Sequence, residues 1–495
     1  MRVLTSVLLC LAVSACSTLS DRASASLNGP GLEGTRWGLV VMTMEGKELI
    51  AIRPDERFLP ASNTKLFTVA AAFHRLGDLT RPDPSSGTSL RLVPRGDGEP
   101  PDLVLVGGGD AMLLDAADCQ RDCLSTLADA VVASKITRIN DIIGDDRLFP
   151  DQPWGLGWSW EDLITRSGAA VSALTVNSNE VALIVKPGSL VGAPAELSWS
   201  DGDVLGGQYF YTLQNDVVTV ESGEDIEDEL FAERLQDTST VRLYGRVAIG
   251  AAPRGLPVAV SSPAGAAAWR LQHLLQQRGV AVQGTLVTSH RPVNDNDYPD
   301  VRKEAAFLPV ANEGIEIARL VPPPLIVDAT FLMKQSQNLH AELLIRLLGL
   351  IEGGGSVEDG LAIVGQMLAE AGAPRNAWDF SDGSGMSIYN RVTPRMVANF
   401  LRWTSRQPWG LAYRETFPIG GMDGTLRRRF TGTPLQGRVF AKTGTLNGVT
   451  ALSGFLLTAS GKTLIFSAYA NDRPSDAPSA IAALDGALVD IAAAN

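Results

Sequence analysis

The apolar residues Leu66, Phe67, Val69, Ala70, Phe73 and Leu76 recur every three or four positions before Gly77. That spacing predicts an amphipathic helix, entered through Pro60-Ala61-Ser62-Asn63-Thr64-Lys65. Ahead of it, Trp37–Met42 and Leu49–Ile52 flank Glu45-Gly46-Lys47 and predict a hairpin. Residues 80–101, full of Pro, Gly, Ser and Asp, predict a domain boundary. Beyond them, Leu103–Val106 predicts a strand ending in Gly107-Gly108-Gly109, 124–134 a helix, and Ile139–Ile143 a strand leading into Asp145 and Asp146. Between about 180 and 260 short apolar runs alternate with turns (Val181–Val185, Val217–Val220, Val241–Tyr244), a mostly β pattern. Helical spacing returns over 264–278, 326–351, 357–372 and 394–406. The pattern closes in a β meander over 438–442, 449–458 and 463–469, with Ser460-Gly461 turning the last two strands. No internal repeat is visible.

Composition narrows the class. A chain of 495 residues with 45% hydrophobic and 20% charged residues has the makings of two or three globular domains. Its net charge of −13 argues against nucleic-acid phosphates as partners. The first residues run from Met1-Arg2 through a short apolar stretch to Val13-Ser14-Ala15-Cys16, the form of an export signal. That tetrad resembles a bacterial lipobox, which implies a signal peptide over 1–15 and a lipid on Cys16 as the membrane anchor. The alternative is an ordinary secretory signal cut near Ser20 or Ala25. Ser17, where an aspartate is absent, points by resemblance to the outer membrane of a periplasmic compartment. Residues 16–33, rich in Ser, Ala and Gly, are expected as a tether. Cys119 and Cys123 read as a small disulfide-closed loop rather than a zinc site, since no histidine is near them. No metal or cofactor is expected; Gly107–Gly109 lacks the following Gly-Lys-Ser/Thr of a phosphate loop.

Three stretches carry chemistry. Ser62 and Lys65, at i and i+3, share a helix face, so the lysine amine can take the serine proton if burial makes it neutral. The plainer reading is a surface helix start with serine as its cap. Reading back three positions from every lysine, only Lys65 finds a serine. Ser336 and Asn338, two apart in a loop, offer a hydroxyl and an amide to a cleft, although serine and asparagine are also ordinary loop residues. Lys442-Thr443-Gly444-Thr445, at a strand end, offers a cation, two hydroxyls and room for a ligand at the backbone; the plainer reading is a glycine turn.

In this order Ser-x-x-Lys, Ser-x-Asn and Lys-Thr-Gly resemble the motif triplet of penicillin-recognising serine enzymes. Ser336 lies 271 positions beyond Lys65, an interval similar to that of class C low-molecular-mass penicillin-binding proteins, the D-alanyl-D-alanine carboxypeptidase/endopeptidase family. Trp154–Trp160, Ser172–Asn177, Asp382–Ser387 with Asn390-Arg391, and Asp423–Leu426 resemble further family stretches, over roughly residues 34–490. The resemblance implies an α+β fold: a transpeptidase/β-lactamase-like domain, an antiparallel sheet with helices on both sides, made of residues 34–85 and 305–495. Residues 86–304 would form a long, largely β insert of two small domains.

By the same resemblance, Ser62 attacks the carbonyl before the last residue of a peptidoglycan stem peptide and Lys65 takes its proton. Ser336 passes a proton to the leaving amine, and Asn338 holds the acyl-chain amide. Lys442, Thr443 and Thr445 bind the terminal carboxylate beside Gly444, and β-lactams are covalent inhibitors. The family usually places an arginine where this chain has Ile388, which removes a charge-assisted bond to the substrate's diamino acid; Asp145 is expected either to meet that residue's amino end or to be a turn residue. Asp382 and Asp423 are expected as loop and turn supports and His340 as a packed or solvated residue rather than a catalytic one. Rival readings are a β-lactamase or esterase on the same fold, and a lipoprotein that is acylated without turnover and senses penicillin or binds wall. Oligomeric state is not legible.

Overall fold

The computed structural model describes residues 19–116, 118–200, 210–223, 229–236, 238–302 and 312–495. The expected signal peptide and Cys16 lie outside the described residues. The central sheet is antiparallel and takes strands from distant parts of the chain. Its order is Val439–Leu446, Val449–Leu457, Thr463–Asn471, Arg36–Thr43, Glu48–Ile52. Side chains of a strand alternate between faces, and here both faces are covered. Val40 and Met42 enter a core with the Lys65–Arg75 and Pro394–Thr404 helices, while Leu39 and Val41 enter a second core on the opposite face. Each fully buried aliphatic side chain contributes about 1.5–3 kcal/mol, so the sheet is held from both sides.

The second core is closed by two helices, Leu19–Leu27 and Ala480–Ala493. The first corrects the expectation of a tether over 16–33. Ala23 and Leu27, one turn apart, are 1% exposed and pack with Leu484 and Leu488, so burial overrides a composition that reads as a linker. The Ala480–Ala493 helix was not anticipated, although Leu484, Leu488 and Ile491 carry helical spacing.

A second sheet runs in the order Leu286–Arg291, Ile142–Pro150, Asp102–Val106, Ser89–Val93, Ile315–Arg319. Its first three strands are parallel, and the helices Leu124–Ala133 and Pro263–Gln277 share a core with it. Ser89–Val93 lies inside the stretch expected as a boundary, because Leu90 is buried amid turn-forming neighbours. Ile315–Arg319 pairs with it, so this sheet reaches past residue 304, where the insert was expected to end. Two small three-stranded sheets, centred on Glu180–Lys186 and Thr240–Ala248, share a fourth core. None of these shares a strand with the central sheet. The expected α+β architecture with its β-rich insert is therefore the one observed. Cys119 and Cys123 are disulfide-bonded.

The helix expected over 326–351 is two helices, Leu325–Gln335 and Asn338–Gly349. Ser336, at φ +60°, ends the first in a left-handed conformation that is usually glycine's. The Gln337 side chain caps the second by accepting from the Leu339 N–H. Apolar periodicity does not register such a break, since neither Gly nor Pro marks it.

Candidate active site

Ser62 sits in a 3-10 turn, Ala61–Thr64, that runs into the Lys65–Arg75 helix. Two elements clamp this turn. On one side Gly444 of the Val439–Leu446 strand approaches so closely that a Cβ there would stand 2.6 Å from the Pro60 carbonyl oxygen. On the other, a Cβ on Gly385 would stand 1.9 Å from the Ala61 carbonyl oxygen. Asn63 Nδ2 donates to the Lys442 carbonyl at 2.9 Å and ties the turn to the strand.

Lys65 is fully buried, with Nζ 2.9 Å from Ser62 Oγ. Its other two contacts are pure acceptors: Asn338 Oδ1 at 2.6 Å and the Ser384 carbonyl at 2.6 Å. An uncharged amine has two N–H groups and one lone pair. The two carbonyl oxygens take the N–H groups and leave the lone pair to the Ser62 hydroxyl. Burial pulls the Lys65 pKa from 10.5 to about 7, against the opposing pull of the Asp382 and Glu342 carboxylates.

Lys442 is buried as well. Its Nζ donates to Ser336 Oγ at 2.8 Å and to the Thr443 carbonyl at 3.0 Å. Burial, and then the charge of Lys65, hold its pKa well below the ordinary lysine value. No carboxylate contacts Lys442 among the described residues. Asn338 Nδ2 donates to the Ser167 carbonyl at 2.9 Å, which links the Arg166–Gly168 turn to the pocket. Thr443 Oγ1 donates to Thr425 Oγ1 at 2.8 Å, and Thr445 is exposed on the same strand. Ser62, Lys65, Ser336, Asn338, Lys442, Thr443, Gly444 and Thr445 thus meet at one place.

Asp145 is not joined to them by any hydrogen bond or ion pair among the described residues. It is a strand residue, 2% exposed, and its carboxylate accepts from Arg147 Nη2 at 2.6 Å and Nε at 3.0 Å. Ile388 is 52% exposed beside the likewise exposed Tyr389. His340 is packed, with Nδ1 hydrogen-bonded to Asp328. Asp382 supports its loop, accepting from the Gly385 and Ser387 N–H groups and from Trp158 Nε1. Asp423 does the same for the Ile419 N–H and pairs with Lys334.

Sequence reasoning missed Ser384, Ser167, Thr425 and Glu342. The first three act through backbone or hydroxyl oxygens and leave no compositional trace. Glu342 left a signal: with Asn338 and Arg346 it marks every fourth position of a helix that is apolar elsewhere except at His340.

Residues 19–491 match the D-Ala-D-Ala carboxypeptidase 3 (S13) family. The chain is 33% identical to a D-alanyl-D-alanine carboxypeptidase of Actinomadura sp. (strain R39), over 94% of this chain and 82% of the relative. It is 26% identical to the D-alanyl-D-alanine carboxypeptidase DacB of Haemophilus influenzae, over 89% of this chain and 86% of the relative. The crystal structure of penicillin binding protein 4 (dacB) from Haemophilus influenzae superposes with a TM-score of 0.76 at 24% identity, covering 93% of this chain and 96% of that one.

Proposed function

The chain belongs to the D-Ala-D-Ala carboxypeptidase 3 (S13) family, and from that premise we propose that it cleaves peptidoglycan stem peptides through an acyl-enzyme on Ser62. The observation that carries this reading is the buried Lys65 amine 2.9 Å from the Ser62 hydroxyl. Lys65, neutral above about pH 7, takes the hydroxyl proton as Oγ attacks the carbonyl before the terminal D-alanine. The N–H groups of Ser62 and Thr445 receive the developing oxyanion. Ser336, bonded to Lys442, returns a proton to the leaving amine. Asn338 orients the acyl-chain amide.

Lys442, with Thr443 and Thr445, binds the terminal carboxylate. A buried lysine without an acid partner pays for desolvation in the free protein; a carboxylate in the cleft restores its charge, so binding and recognition are one event. Water then releases the acyl group. Cross-linked stems are substrates when the amine leaving is that of a second stem. β-Lactams acylate Ser62 and leave slowly. Asp145, paired with Arg147, is kept as the group that would meet the amino end of the substrate's diamino acid.

Incubation with a fluorescent penicillin and with a peptide ending in D-Ala-D-Ala tests the proposal. Stable labelling with release of D-alanine, both lost in Ser62→Ala, is expected. Rapid loss of label would favour a β-lactamase, and labelling without D-alanine release a penicillin sensor. No label on the wild-type protein would sink the acyl-enzyme itself. The Cys16 motif supports a lipid anchor at the outer membrane; Cys16→Ala is expected to move the protein from the membrane to the soluble fraction.

A further inference from the structure

A buried carboxylate stands behind Lys65 without touching it. Glu342 lies one turn beyond Asn338 on the same helix and is fully buried. Its Oε1 accepts from two successive backbone groups, the Gly383 N–H at 3.0 Å and the Ser384 N–H at 2.9 Å. Its Oε2 meets Arg346 Nη1 at 3.2 Å. Arg346, itself 1% exposed, also donates to the Glu342 carbonyl at 2.9 Å and to the Gln152 carbonyl at 2.7 Å. The peptide held in this way ends in the Ser384 carbonyl, which receives Lys65 Nζ at 2.6 Å.

We propose that Glu342 is a positioning residue for acylation: its carboxylate fixes the Gly383–Ser384 backbone so that the Ser384 carbonyl aims the Lys65 amine at Ser62. The inference rests on the Ser62 and Lys65 roles proposed above. A close ion pair and two charge-assisted N–H bonds at one buried carboxylate are a costly arrangement to keep in a core. Leucine would fill the same helix position at no desolvation cost. What the carboxylate does that leucine cannot is hold two N–H groups of a loop that has no regular partner strand.

The charge has a second effect, with a calculable sign. The charged groups that act on Lys65 are Asp382 and Glu342, which favour its protonated form against burial. Around Glu342 stand Asp382 and Arg346, and Glu358 acts in turn on Arg346. Burial and the Asp382 charge raise the Glu342 pKa, while Arg346 and the Ser384 N–H oppose them; where the carboxylate is ionised, removing its negative charge lowers the proton affinity of Lys65. The acid limb of acylation, on which Lys65 loses its proton, then moves to lower pH.

Acylation by a fluorescent penicillin, followed across pH, reads both effects in the full chain. Glu342→Gln keeps an acceptor for the two N–H groups and removes the charge. The acid limb is expected to move down by about one pH unit. Combining it with Arg346→Met avoids a buried, unpaired guanidinium and should show a smaller movement in the same direction, since a cation leaves with the carboxylate. Glu342→Asp keeps the charge but withdraws the carboxylate by one methylene. Its limb should stay near that of the wild type while the plateau rate falls roughly tenfold. A merely structural glutamate would lower the melting temperature in these variants and leave limb and plateau where they are; that result overturns the proposal. If the Gln variants fail to fold, the Asp variant decides: an unchanged plateau overturns, a fallen plateau with an unmoved limb supports. Wild-type labelling that depends on Ser62, seen together with unaffected Glu342 variants, refutes this inference alone. Absence of wild-type labelling refutes the reading beneath it.

Discussion

Gly444 and Pro60 approach so closely that no side chain fits at position 444 without a backbone shift: a Cβ there would lie 2.6 Å from the Pro60 carbonyl oxygen and 3.0 Å from the Ala451 Cβ. The contact sets the gap between the strand carrying Lys442 and the turn carrying Ser62. Gly444→Ala must push strand and turn apart by a few tenths of an ångström. The expected result is acylation slowed about tenfold or more, with about 1–3 kcal/mol of stability lost. Penicillin labelling rates and a denaturant titration measure the two.

Lys65 gives a pH signature. Acylation should climb through about pH 7 to a plateau, as the amine becomes neutral. Stability follows from the same shift. The folded-state pKa, about 7, lies below the ordinary 10.5, so between these values the unfolded chain binds the extra proton. Wild-type stability therefore rises with pH across that window, relative to a Lys65→Met variant, by roughly 1 kcal/mol per unit. Paired melts from pH 7 upward read the slope. A flat difference would mean that Lys65 keeps its charge when buried.

Ser336 trades stability for position. Its φ of +60° costs a non-glycine residue about 1 kcal/mol. Ser336→Gly is expected to gain about that much and to lose D-alanine release almost entirely, because the hydroxyl beside Lys442 is gone. Thermal melts and a D-alanine assay on the same preparation give both numbers.

Away from the cleft, Arg270 and Asp115 form an ion pair with side chains 1% and 2% exposed. Arg270→Met leaves the carboxylate buried and unmatched and should cost about 3–5 kcal/mol. Arg270→Met with Asp115→Leu should cost clearly less. The two urea midpoints compare them, and penicillin labelling should survive in whatever remains folded.

Much of the site was legible because it is local or ordered. Ser62 and Lys65 meet through helix geometry, and the strand bearing Lys442 shows as the first run of the closing β meander. Ser336 and Asn338 were legible only as the middle member of a sequence of three motifs; the break that presents them depends on a serine in a left-handed conformation, which composition does not mark. The Ser384 carbonyl was hidden, because a backbone acceptor has no residue type, and the polar stripe that marks Glu342 does not say which backbone it holds. Asp145 was read from its position in the insert, and the structure places it on a strand, paired with Arg147 two residues along. The Leu19–Leu27 helix looked like a linker since its stability comes from the Ala480–Ala493 helix, far along the chain.

The pairing of Arg36–Thr43 with Thr463–Asn471 has a consequence for how the molecule is made. The bond from Arg36 Nε to Asp472 spans 436 positions, and loop closure on that scale is slow. As synthesis proceeds from the N-terminus, the turn carrying Ser62 is finished long before the strand that flanks it exists. The interposed sheets have all their strands by residue 319 and can collapse first. Hydrolytic competence thus arrives last, as a single late docking step, and a nascent protein is chemically silent toward its surroundings until its final hairpin is in place.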